Sequence, residues 1–116
     1  MSESKETTIR EIQARHEEWC AENFDHREPA LDRKALHCAM GASEEVGELM
    51  HSLLKWDQGI RGTPEQHEAD AKDAVGDVVM YLLDLCNRMG WDFERIVQDT
   101  ASHVHRRDWN REGGER

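Results

Sequence analysis

Two stretches of the chain crowd carboxylates against an apolar pattern. In ASEEVGELMHSLLKW (42–56), Glu44, Glu45 and Glu48 sit within two helical turns of Val46, Leu49, Leu53 and Leu54. In DAKDAVGD (70–77), Asp70, Asp73 and Asp77 border Ala71, Ala74 and Val75. At about 100° per residue, Glu44 and Glu48 project about 40° apart and Glu45 and Glu48 about 60° apart, and the three aspartates fall within about 60° of one another. Each segment therefore offers an acidic edge beside an apolar face. If the two helices pack antiparallel, the edges meet. Like-charged carboxylates in a partly buried site then raise one another's pKa unless a cation neutralises them. Oxygen-only donors favour Mg²⁺, with Mn²⁺ as the substitute, and the open coordination positions take water or phosphate oxygens. The competing expectation is a non-catalytic all-α dimeric interaction module whose acids simply face water.

The elements that must position these acids read as helices throughout. Thr8 and Glu11 form a capping-box signature, and Ile9, Ile12, His16 and Trp19 recur at helical spacing, which predicts a first helix over about 9–22. NFDHREPALD (23–32) is a connection whose Asp32 caps a second helix. Leu36, Ala39, Met40, Val46, Leu49, Met50, Leu53 and Leu54 give that helix a core face as far as Trp56. Gly41 and Gly47 interrupt it at about 1 kcal/mol each relative to Ala, which predicts a packing or ligand reason for them. DQGIRG (57–62) is a loop. Thr63-Pro64-Glu65-Gln66 then supplies cap, first-turn proline and capping-box partner for a third helix that Gly90 stops after Met89. Phe93, Ile96, Val97, Thr100, Ala101, Val104 and Trp109 mark a fourth, and Trp19, Trp91 and Phe93 are expected in the core. Period-two alternation and internal repeats are absent. The expectation is an all-α four-helix bundle: one domain over 1–116, a core over about 9–109 and a frayed tail at 110–116.

With 116 residues and 37% hydrophobic content, one small domain buries enough surface to fold with little excess, and dimerisation would add to it. A net charge of −10 disfavours nucleic-acid partners. Cys20, Cys38 and Cys86 are widely separated and contain no C-x-x-C pair, so buried thiols are expected rather than disulfides or zinc. The polar start MSESKETT and the short apolar run VVMYLL (78–83) predict a soluble, cytoplasmic chain with no membrane partner. Glu48 and His51 form one E-x-x-H, but a carboxylate-bridged di-iron bundle needs a second, which the sequence lacks.

E-E-V-G-E (44–48), a spacer and G-D-V-V-M-Y-L (76–82) resemble the MazG-like all-α nucleoside triphosphate pyrophosphohydrolases, whose pattern is E-E-x-x-E followed by E-x-x-D. The likeness runs over about 9–109, and LLKWDQGIRG and VHRRDW also look like segments of small MazG-like proteins. It implies a Mg²⁺-dependent bundle that hydrolyses a nucleoside triphosphate to the monophosphate and pyrophosphate, acting as a homodimer or dimer of dimers. Glu45, Glu48 and Asp77 match metal-binding positions; the fourth motif carboxylate falls on Ala74, leaving Asp73 as its substitute. Glu44 is the candidate to orient or deprotonate the attacking water. Tyr81 matches a substrate-contacting position of the related dCTP pyrophosphatases, and His16, Phe24 and Trp56 are wall candidates by the same likeness. Triphosphate oxygens beyond the metal call for cations, which Lys55, Arg61 and Arg107 beside Trp109 would supply, within a subunit or across a dimer interface.

Overall fold

Local capping sets half of the helix ends. In the computed structural model, which describes residues 8–25 and 34–110, Thr8 Oγ1 accepts the Glu11 N–H at 3.1 Å and opens α1 (Ile9–Cys20). A π-helical turn (Ala21–Asp25) extends it, and α2 (Ala35–Gln58) follows. Thr63 and Gln66 cap one another reciprocally, at 3.1 and 2.8 Å, and start α3 (Pro64–Met89). Gly59 and Gly90 end α2 and α3 at φ 69° and 73°, left-handed values that favour glycine. The last helix is α4 (Phe93–Val104). Among the described residues there is no strand, and no helix is long and apolar enough to cross a membrane.

Expected boundaries differ at four places: the π-helical turn reaches Asp25, into the connection expected over 23–32, and α2 runs to Gln58, past Trp56 and into the expected 57–62 loop; the other two are the start of α2 and the end of α4. Lys34 stands at the N-cap of α2; Asp32, expected there, lies outside the described residues, as does the tail from 111. α4 stops at Val104, and Trp109 falls in a turn beyond it. His105, Arg106, Arg107 and Asp108 give a further turn no apolar side to bury, and burial is what holds a short helix.

α3 is the spine of the molecule. Gly41 lies against Tyr81, and Glu45 feels the charge of Asp77; numbers rise on one helix as they fall on the other, so α2 and α3 form an antiparallel hairpin. Its seam is built from small or polar residues: Cys38, Ala42 and Ser52 from α2, His67, Ala71 and Ala74 from α3, all buried. His67 shares a 2.9 Å hydrogen bond with the Ile60 carbonyl, which ties the connecting loop to the hairpin. Leu83 is fully buried, and the three cysteines are buried and form no disulfide among the described residues.

α1 packs on another side of α3 and also meets α4. The buried Gln13 side chain organises that junction. Its amide N–H groups donate to Asn87 Oδ1 (3.0 Å) and the Trp91 carbonyl (2.7 Å), its oxygen accepts from Phe93 N–H (2.9 Å), and Asn87 donates back to the Gln13 carbonyl (3.1 Å). Outside it, the Arg10 guanidinium reaches Asp92 at 2.7 Å and Glu94 at 3.1 Å.

The apolar stripe expected to face the core from α2 does not do so within one chain. Leu36 is 68% exposed and Met50 65%, and Met40, Val46, Leu53 and Leu54 are exposed as well. Among the described residues α2 packs on α3 alone, so the helix has one partner for two apolar sides, and the small-residue side takes it. Trp19 and Trp91, expected in the core, are exposed, while Phe93 is half-buried.

Candidate functional site

Because α1 and α2 both lean on α3 without packing on each other, a groove remains between them with α3 as its floor. It holds a pocket of about 790 Å³. α1 and its π-helical turn contribute Arg15, His16, Trp19 and Phe24; α2 contributes His37 and Glu45; α3 contributes Asp77, Tyr81 and Asp84.

The acidic end follows from the hairpin register. Glu45 is half-buried, and its carboxyl is held above the usual glutamate range. Partial desolvation is the first cause, followed by the negative charges of Asp77, Glu44, Glu48 and Asp73. Acids from two helices thus act on one group, which is the convergence that the sequence spacing suggests. The donor set at this end is carboxylate oxygen, suited to a hard divalent cation. As the side chains are oriented, no three His, Cys, Asp or Glu groups among the described residues stand as a ligand cluster. Ala74 is buried in the helix seam, whereas Asp73 is exposed beside it.

Tyr81 sits one turn beyond Asp77 and passes across Gly41. A Cβ at residue 41 would lie 2.7 Å from Tyr81 Cζ, so glycine there lets the ring lie against the α2 backbone. Gly47 has no such reason: a Cβ there would meet nothing within 4 Å. On the other side of the ring, Glu44 borders a smaller hollow of about 350 Å³ with His37, Met40 and Gly41.

The opposite wall is aromatic. His16 and Trp19 stack with ring centres 5.5 Å apart and planes 12° apart, and Phe24 meets Trp19 edge-on at 5.5 Å. Cys20 Sγ lies 3.6 Å from His16 Nε2. Such a wall offers a flat apolar surface with polar edges, suited to a planar heterocycle.

Of the residues singled out from sequence, His16, Phe24, Glu45, Asp77 and Tyr81 line this one pocket, with Glu44, Glu48 and Asp73 at its acidic rim. Lys55, Trp56, Arg61, Arg107 and Trp109 do not line it. Lys55 Nζ donates to Gln58 Oε1 at 3.1 Å, and Arg61 lies in the hairpin loop at φ 61°. Arg107 is half-buried, with its Nε lacking a hydrogen-bond partner. Sequence reasoning missed Arg15, Trp19, His37 and Asp84. A signal existed for two of them: Trp19 follows His16 by three residues and Asp84 follows Asp77 by seven, each a same-face spacing.

No family model, curated protein or solved structure matches the chain.

Proposed function

We propose that this chain is a Mg²⁺-dependent nucleoside triphosphate pyrophosphohydrolase of the MazG-like all-α kind, cleaving between the α- and β-phosphates. One observation carries the reading: Glu45 and Asp77, from different helices, face the same pocket whose far wall is the His16–Trp19–Phe24 array. A site with hard-cation donors at one end and stacked rings at the other has the polarity of a nucleotide.

Glu45, Glu48 and Asp77, with Asp73, would hold the cation. When bound it neutralises charge on the phosphates, the main requirement of phosphoryl transfer. Glu44, exposed at the rim, orients or deprotonates the attacking water. Arg15 provides a phosphate-directed cation inside the pocket, a role that the sequence alone assigns to Lys55, Arg61 and Arg107. His16, Trp19, Phe24 and Tyr81 bound the nucleoside.

The open stripe of α2 is the place for a second copy of the chain, completing the bundle as a homodimer or dimer of dimers. In that assembly Lys55, Trp56, Arg61 and Arg107 would serve a neighbouring site. The same stripe supports a second reading, a non-catalytic dimeric module, since it needs only the apolar faces.

The deciding assay is pyrophosphate release from a panel of deoxynucleoside triphosphates with and without Mg²⁺. Turnover that needs the ion and is lost in Glu48→Gln, with the helical signal intact, supports the enzyme. Absence of pyrophosphate from every nucleotide, or undiminished turnover in Glu48→Gln, leaves the module.

A further inference from the structure

The proposed reaction makes no use of a carboxylate at the end of the pocket away from Glu45. Asp84 lines the same cavity, yet its side chain is only 6% exposed. Asp77, Tyr81 and Asp84 occupy positions i, i+4 and i+7 of α3, so they share one face within about 60°. Asp84 stands about 10.5 Å along the helix from Asp77. That rise is comparable to the reach from the α-phosphorus of a nucleotide to the outer edge of its base. With the phosphates at Glu45 and Asp77 and the sugar beside Tyr81, the base edge arrives at Asp84 while its face lies on the aromatic wall.

We infer that Asp84 is the specificity-determining residue of this pocket and selects bases that carry an exocyclic amino group over their oxo counterparts; this rests on the nucleotide reading of the site. The chemistry is one-sided. A carboxylate only accepts, with room for about four hydrogen bonds, and the 3.2 Å bond that Arg88 Nε donates to Oδ1 is one of its contacts. Cytosine and adenine present N–H donors at their amino edge. Uracil and hypoxanthine present a carbonyl oxygen at that place, and a base filling the pocket would press two acceptors together without water between them. A site built around a buried polar group discriminates strongly against the analogue that cannot satisfy it. Arg15 is the rival reader in the same cavity, since a guanidinium would favour the carbonyl.

Matched pairs isolate this effect because each differs only in amino versus oxo: dCTP against dUTP, and dATP against dITP. The expected result with Mg²⁺ is a kcat/KM preference for the amino member of at least about tenfold, falling to within about threefold in Asp84→Asn, whose amide can turn either a donor or an acceptor to the base. Equal rates within each pair, an oxo preference that assigns the reading to Arg15, or an Asp84→Asn ratio unchanged from wild type would each overturn the assignment. Arg88→Met provides a second variant should Asp84→Asn not fold. It removes one competing donor from Oδ1 and is expected to keep or widen the preference, and a narrowed ratio counts against it. Calorimetric titration of CMP against UMP and of AMP against IMP without metal separates the two layers. Turnover without discrimination sinks the role of Asp84 and leaves the pyrophosphohydrolase standing. Amino-selective binding without pyrophosphate release does the reverse, and no binding of any of the four together with no pyrophosphate release sinks both.

Discussion

Two regions along α3 treat polar groups in opposite ways. Where α1 meets the α3–α4 junction, Gln13 and Asn87 satisfy one another and two backbone groups, and Arg10 sits between Asp92 and Glu94. Every charge there has an opposite partner. Nearly three turns back along α3, at Asp77, four acids of one sign surround the half-buried Glu45. The first arrangement is a structural clasp, closed by its own side chains. The second is stable only as far as water, protons or a cation offset the repulsion, which is the mark of a site built for something else.

The largest effect should come from the frustrated end. Glu45→Gln is expected to remove nearly all Mg²⁺-dependent pyrophosphate release while raising the melting temperature in metal-free buffer, because it deletes the charge that its neighbours oppose. A lower melting temperature would mean that Glu45 has a partner and that the contrast is false. Next is the clasp. Gln13→Leu leaves the Phe93 N–H, the Trp91 carbonyl and Asn87 Oδ1 without their bonds, and urea unfolding should show a loss of about 3 kcal/mol.

Smaller effects distinguish the two helical glycines. Gly41→Ala drives a methyl into the Tyr81 ring and should destabilise by about 1–3 kcal/mol, with the Tyr81 environment changed. Gly47→Ala meets nothing and should stabilise by about 0.5–1 kcal/mol through helix propensity. If both stabilise, the ring does not rest where the structure places it.

The smallest is a pH dependence of opposite sign at the two ends. Hydrogen bonding to Arg10 holds the Asp92 carboxyl below the usual aspartate range, so the unfolded chain binds that proton more readily. Its contribution is present above the ordinary aspartate pKa and is lost as pH falls through the lowered one. Glu45 is raised, so the folded chain binds its proton more tightly, and stability falls as pH climbs from the ordinary glutamate value through the raised one. Thermal melts from pH 3 to 7 of wild type, Arg10→Ala and Glu45→Gln should each lose one of the two slopes.

Much of the local structure was legible in the residues. Thr8, Thr63-Pro64, Gln66 and Gly90 name helix ends because capping depends on side chains a few positions away. The acidic edges of α2 and α3 were legible for the same reason, since fixed helical geometry turns spacing into direction. Which apolar side of α2 would find a partner was not. Leu36, Met40 and Met50 are the better hydrophobes, yet Cys38, Ala42 and Ser52 occupy the seam, because small side chains let the α3 backbone approach. Nor could composition foretell that Trp19 would line a pocket rather than fill a core.

The sequence by itself determined that this chain is helical, where its capped helices begin, and that two of them carry acids on one edge; all of these follow from interactions within a few residues. The tertiary structure alone decided that Glu45 faces Asp77, that α1 and α2 stand apart over α3, and that Arg15, Trp19 and Asp84 share the resulting pocket. Those relations depend on the register of the hairpin and on the Gln13 clasp, contacts between residues distant in the chain whose geometry no local period encodes.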